Sequence, residues 1–247
     1  MKAKVPAAAI LLSILIFIAG CGTVPKYDPF LVPAATVRAT IKTIAIYHPH
    51  TNNPVEIQFE RLIEDELNTG GFATIGPDRI NPIANREIQS IGGLYDPQTG
   101  AEDKAKSELF WRNVLHDIKT NYNADGVLTF GVVGRQANFY GNRAEWDGTA
   151  EEIYMHYGLG DILLQNGTEY GTTRGLSLKI LLADLHHQNL YLNYGGIQLA
   201  MKLSRPSQAF RKQAFVEVPE AQLFSDTNRI YGAVTNALGP LVNRRVP

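Results

Sequence analysis

A single cysteine constrains this chain more than any other residue. Cys21 follows a stretch that is apolar from Ala7 to Ala19 except for Ser13, and no second cysteine occurs in the 247 residues. No intramolecular disulfide is therefore available, and the fold has to be held by core burial. An apolar fraction of 45% permits that. So does the length, because the residues after position 20 suffice for one well-packed domain with an elaboration, or for two small ones.

The N-terminus itself reads as an export signal. Lys2 and Lys4 precede the apolar stretch, and a helix of that length rises only about 20 Å, short of a hydrocarbon core of about 30 Å. That is the size of a secretory signal core. Ile18-Ala19-Gly20-Cys21 resembles the lipobox of bacterial lipoproteins. The resemblance implies cleavage before Cys21, a diacylglyceryl group on its thiol and an acylated new amine. Each buried methylene contributes about 0.8 kcal/mol, so two or more chains anchor stably where one holds only reversibly. Gly22 stands where an aspartate would imply inner-membrane retention, so the resemblance implies the outer membrane, with the domain facing the periplasm. The expected organisation is a signal peptide over 1–20, a lipidated Pro-rich tether over 21–39 and one domain over 40–247. Pro25, Pro29 and Pro33 recur every four residues and block helix. Extended at about 3.1 Å per residue, Gly22 to Thr36 would reach roughly 45 Å; the same segment could instead pack along the domain.

Charge narrows the partners. Removing Lys2 and Lys4 leaves 21 of the 23 basic residues against 24 acidic ones, a net charge of about −3 with histidine neutral. No basic footprint for nucleic acid is visible in that balance.

Along the domain, strand and helix patterns alternate. Ile41 to His48 is an apolar, β-branched stretch suited to a buried strand. Asn53-Pro54-Val55-Glu56 offers an N-cap, a proline at the first helical position and an acid at the third. Val55, Phe59, Leu62, Ile63 and Leu67 then share a helical face that ends at Gly70-Gly71. Phe72 to Ile75 is a short strand, and residues 76–98 read as a long loop with turn chemistry at Gly92-Gly93 and Asp96-Pro97. Thr99 and Glu102 suggest a capping box for a helix whose stripe is Ala105, Leu109, Phe110, Val114 and Ile118. Val127 to Val133, Leu176 to Ala183 and Leu190 to Leu203 read as strands, and Thr227 to about Leu241 as a closing helix. The expected class is α/β, a mixed central sheet covered by helices, with a glycine- and aromatic-rich β-hairpin region inserted at about 135–172.

This order is carried by Ile41–Tyr47, the Val55–Leu67 helix, Gly71-Phe72-Ala73-Thr74-Ile75, Asn123-Ala124-Asp125-Gly126-Val127-Leu128 and Leu176–Asp184. It resembles the periplasmic α/β domain shared by CsgG, LpoB and the TolB N-terminal region. The resemblance covers roughly 40–133 and 174–241 and implies a non-enzymatic adaptor, activator or assembly role in the envelope. Residues 135–172 depart from it.

Catalytic and metal motifs are absent: there is no Gly-x-Ser-x-Gly, phosphate loop or His-Glu-x-x-His. His48-Pro49-His50 lacks a third ligand and reads as surface histidines at a turn, and His186-His187 as exposed hairpin residues. Glu151-Glu152 beside Asp147 reads as a solvated loop, since adjacent carboxylates on extended chain face opposite ways. Gly158-Leu159-Gly160-Asp161 reads as a turn. No cofactor and no metal are expected. Phe139, Tyr140, Trp146, Tyr154, Tyr157 and Tyr170 cluster within the insertion. Such residues suit interfaces, or cover the domain's own sheet. Trp146, Tyr154, Tyr140 and Tyr157 are the candidate partner-binding residues, and Cys21 is the candidate lipidation site. The partners expected are membrane lipid through Cys21 and an envelope protein, with a homo-oligomer as a further option. The alternative function is an oligomeric export-pore or surface-structure assembly subunit like CsgG. Spanning strands need about 9–11 alternating residues, a pattern that Glu151-Glu152, Asp161, Glu169 and the consecutive Ile162-Leu163-Leu164 fit poorly.

Overall fold

Strand β1 (Thr43–Tyr47) is buried along almost its whole length, which makes it a central strand with helices on both faces. The computed structural model describes residues 27–49, 53–155, 170–204 and 214–242. β1 runs parallel to β2 (Ala73–Ile75) on one side and to β3 (Gly126–Tyr140) on the other. β3 pairs antiparallel with β6 (Tyr170–Asp184) from Gly126↔Asp184 to Tyr140↔Tyr170, and β6 pairs with β7 (Asn189–Leu199). The main layer thus runs β2-β1-β3-β6-β7. At its far end β3 also pairs with β4 (Arg143–Trp146), which pairs with β5 (Thr149–Glu152). β8 (Met201–Ser204) and β9 (Ala214–Glu217) form a separate antiparallel pair. The class is the mixed α/β sheet with flanking helices expected from the sequence.

Helices cover the two faces of the near half of this sheet. α1 (Ala34–Thr40), α2 (Pro54–Thr69) and α5 (Thr227–Leu238) pack on one face through Val37, Phe59, Ile63, Ile230 and Val234, against Leu128, Ile180 and Leu182. α3 (Pro77–Ser90) and α4 (Lys104–Tyr122) pack on the other through Ile80, Ile83, Phe110 and Val114, against Tyr47 and Val127. α2 starts as its sequence indicates, with the Asn53 carboxamide accepting from the Val55 N–H and Pro54 at the first position. Gly195 on β7 lets α5 come close: a Cβ there would lie 1.9 Å from the Ala233 carbonyl oxygen.

Three sequence expectations need correction. Residues 77–90 are helix α3, not loop. Pro77 sits harmlessly in its first turn, but Pro82 lies inside it and removes a hydrogen bond at a cost of about 3 kcal/mol. Burial of Ile80, Ile83 and Ala84 offsets that loss. α4 starts at Asp103, whose carboxylate accepts from the Lys106 N–H, and not at a Thr99/Glu102 box. Thr99 is instead held in a turn in which the Asp96 carboxylate accepts from the Gln98 and Thr99 N–H groups. The boundary at 40 falls inside packed structure, since Val37 is fully buried and the preceding strap is docked. Leu31 N–H donates to the Leu190 carbonyl and Leu192 N–H to the Pro29 carbonyl, while Phe30 packs edge-on against Tyr191 at 5.1 Å. This strap blunts part of the outer edge of β7.

Among the described residues Tyr191 is the largest fully buried side chain, and its hydroxyl donates to the Ala237 carbonyl of α5. Burial pushes its phenol above the ordinary value of 10.0. A group whose folded pKa is raised contributes stability that is complete below the unfolded pKa and is lost as pH rises through the folded one. We expect stability to fall above pH about 10, with a Tyr191 share of at most about 1.4 kcal/mol per pH unit. Thermal melts between pH 8 and 11 should show a shallower alkaline loss in Tyr191→Phe; an identical slope would refute the assignment.

Candidate functional site

Beyond Val132 and Leu178, the β3–β6 pair extends past the helices as a ribbon. One of its faces is covered by β4 and β5, which fold back across β6 and β7. The turn that reverses them is Asp147-Gly148, both residues with positive φ (40° and 76°), as a two-residue hairpin turn of this hand requires. Trp146 packs against Gly175, where a Cβ would meet the indole nitrogen at 2.6 Å, and its N–H donates to the Leu176 carbonyl at 3.2 Å. With Ala137, Phe139, Ala144, Ile153, Tyr154, Leu199 and Leu203 it forms a third apolar cluster.

The candidate partner residues consequently separate. Trp146 and Tyr154 are 6% and 4% exposed; they cover the protein's own sheet and offer no surface to a partner, which corrects their assignment. Tyr140 is 74% exposed and faces Tyr170, 83% exposed, directly across the ribbon. Tyr157 and Cys21, together with Gly158–Asp161 and His50, lie outside the described residues. The expected insertion at 135–172 also changes character, because its two ends are the far halves of main-sheet strands β3 and β6.

The face of the ribbon that no described element covers carries Gln136, Asn138 and Tyr140 on β3, and Tyr170, Thr172 and Arg174 on β6, all exposed. Their alternation with buried Ala137, Phe139 and Thr173 shows which face turns outward. Tyrosine and arginine on a rigid, flat strand surface are residue types enriched at protein interfaces.

The carboxylates behave differently from a solvated loop. The Glu151 side chain is 8% exposed; one oxygen meets Lys202 Nζ at 2.6 Å and Arg229 Nη1 at 2.7 Å, and the other accepts from the Leu199 N–H at 2.7 Å. Nothing local in the sequence signals this, since both cations lie far downstream. A hollow of about 440 Å³ opens beside the triad, lined also by Tyr154, Gln198 and Asp226. Its charges are already matched in number, two cations by Glu151 and Asp226, so it is a lock between β5, β8 and α5 rather than a receptor for an ion. Asp147 makes a second lock: it accepts from Arg135 at 3.0 Å and from Ser177 at 2.7 Å, and the Arg135 guanidinium, its pKa raised by that hydrogen bond, stacks 4.2 Å over Tyr194.

Of the histidines, His48 is not on the surface. It is 8% exposed, stacks on Phe130 at 4.3 Å and stands 3.3 Å from a Glu56 oxygen. His187 is exposed and stacks on Trp111 at 5.4 Å. Among the described residues no three histidine, cysteine, aspartate or glutamate side chains converge on a metal site, and no helix is long and apolar enough to cross a membrane.

Removing the buried carboxylate takes the partner from the Leu199 N–H and from two part-exposed cations that can turn to solvent, so Glu151→Gln should cost about 1–3 kcal/mol of stability. Urea titration measures it, and a change below about 0.5 kcal/mol, the range of ordinary surface substitutions, would show the triad to be incidental. Comparison with known proteins returns no matching family model, no similar curated protein and no similar solved structure.

Proposed function

We propose that this protein is an outer-membrane-anchored, periplasm-facing lipoprotein that acts without chemistry of its own, as an adaptor or activator docking on an envelope protein. The anchor is Cys21 of the Ile18-Ala19-Gly20-Cys21 box, and the docking surface is the open ribbon face around Tyr140 and Tyr170. The observation that carries this reading is that face itself: two tyrosines exposed by 74% and 83% stand opposite each other on a ribbon whose reverse side is packed. A folded domain has no internal use for two large rings held in solvent on neighbouring rigid strands, whereas an interface does. The resemblance to the CsgG, LpoB and TolB group agrees with such a role. Against the pore alternative, the open face includes Gln136, Asn138, Thr172 and Arg174, and an arginine at the bilayer midplane costs about 2–4 kcal/mol.

Two measurements test the proposal. Cys21→Ser should leave an unlipidated precursor that no longer fractionates with membranes; recovery of mature, membrane-bound Cys21→Ser protein would remove the anchor. The double substitution Tyr140→Ala and Tyr170→Ala should lower affinity for the envelope partner captured by crosslinking at least about thirtyfold, since hot-spot tyrosines contribute 2 kcal/mol or more, while the melting temperature stays put. Trp146→Ala serves as the contrast: it should cost about 3–5 kcal/mol of fold stability. Unchanged affinity in the double variant would place the interface elsewhere.

A further inference from the structure

The geometry points to a domain that rides directly on the membrane surface, with the strap end of the sheet toward the bilayer and the Tyr140–Tyr170 end of the ribbon pointing away from it. This rests on the lipidation of Cys21 proposed above, but it goes beyond it, because a lipid anchor alone leaves the standoff of the domain open.

The standoff follows from where the chain becomes fixed. The Tyr27 hydroxyl donates to the Leu192 carbonyl at 2.6 Å, and its ring lines a hollow with Arg135, Tyr194, Asn236 and Pro240. From Pro29 to Leu31 the backbone is bonded to β7, Phe30 packs on Tyr191, Arg38 stacks over Phe30, and α1 buries Val37 in the core. The proline-bearing segment from residue 27 onward is therefore part of the domain surface and adds nothing to the reach of the anchor. Only six Cα steps separate Cys21 from Tyr27, and even fully extended they span at most about 20 Å. That is less than half of the roughly 45 Å that a free Gly22–Thr36 segment would give.

Exposed side chains on the strap suit that position. Tyr27 and Leu31 are 59% and 52% exposed, and with the Tyr27 hydroxyl turned to the protein they offer an aromatic ring and an aliphatic chain, of the kind that settles at a headgroup boundary. The partner surface lies away from this edge. Tyr194 is in register with Lys179, and Lys179 with Gly131, so Tyr140 stands nine residues further along β3, about 30 Å at the rise of a strand. A bilayer surface is the one occupant that a six-step tether brings to the strap edge without further folding.

The test uses the full-length lipidated protein in phospholipid vesicles. Acylation consumes Cys21, so a cysteine placed at exposed Ala35 or Thr172 takes a fluorophore uniquely, and energy transfer to a headgroup-labelled lipid reports height. We expect stronger transfer from Ala35→Cys than from Thr172→Cys. Inserting about 20 Gly/Ser residues after Lys26 adds a coil spanning roughly 25 Å and should lower the Ala35→Cys signal at least about twofold. Equal transfer from both positions, or a signal unmoved by the insertion in protein whose mass confirms acylation, would overturn the orientation and leave the anchor standing. A mass without acyl chains would remove the anchor, and the inference with it.

Discussion

The antiparallel pairing of β3 with β6 is the constraint on which the remaining structure rests. Fifteen consecutive register pairs run from Gly126↔Asp184 to Tyr140↔Tyr170, far longer than the five or six residues of a usual strand. Helices of ordinary length cannot cover such a ribbon. Its near half is sandwiched by α1, α2 and α5 on one face and by α3 and α4 on the other; among the described residues its far half is covered on one face only, by β4 and β5 with Leu203 of β8. Everything functional in this reading follows from that mismatch between strand length and helix cover. The side left open is the side that presents Tyr140 and Tyr170.

Two charge clusters, each built around a largely buried carboxylate, hold the second layer in place. Packing of Trp146 against Gly175, with one hydrogen bond to the Leu176 carbonyl, gives proximity at a single point of the hairpin. Glu151 with Lys202 and Arg229, and Asp147 with Arg135 and Ser177, fix the register of the hairpin at both ends. Such clusters add little net stability once desolvation is counted, and we assign them a positional role. A layer fixed in this way keeps the reverse face of the ribbon flat and its two tyrosines aligned.

How much of this was legible in the sequence depended on whether the cause was local. The start of α2 could be read because Asn53, Pro54 and Val55 cap themselves within three residues. β1 could be read because its burial on both faces leaves an uninterrupted apolar stretch. α3 could not, because Pro82 contradicts the helical spacing of Ile80, Ile83 and Ala84, and only contact with α4 decides between them. The far ends of β3 and β6, 135–140 and 170–172, read in the sequence as part of the inserted region, since the period-two pattern around them is broken by Gly134, Gly171 and Gly175, whose meaning appears only with the rings and guanidinium that lie over them. Trp146 reads as an anchor for a partner for the same reason. Its nest is made by residues some thirty positions away.

The docked strap also orders events in time. Residues 27–31 leave the ribosome well before residues 190–192, which form the strand that receives them, and the Tyr27–Leu192 bond closes a separation of 165 residues. A contact of that span forms slowly, because the entropy of closing the loop is lost before any contact is gained. Until it forms, the amide groups of β7 that the strap will occupy stand open to any extended chain nearby. The strap, made before the strand that receives it, is thus among the last elements to find its place, and its arrival seals the edge that a half-folded copy would otherwise offer to its neighbours.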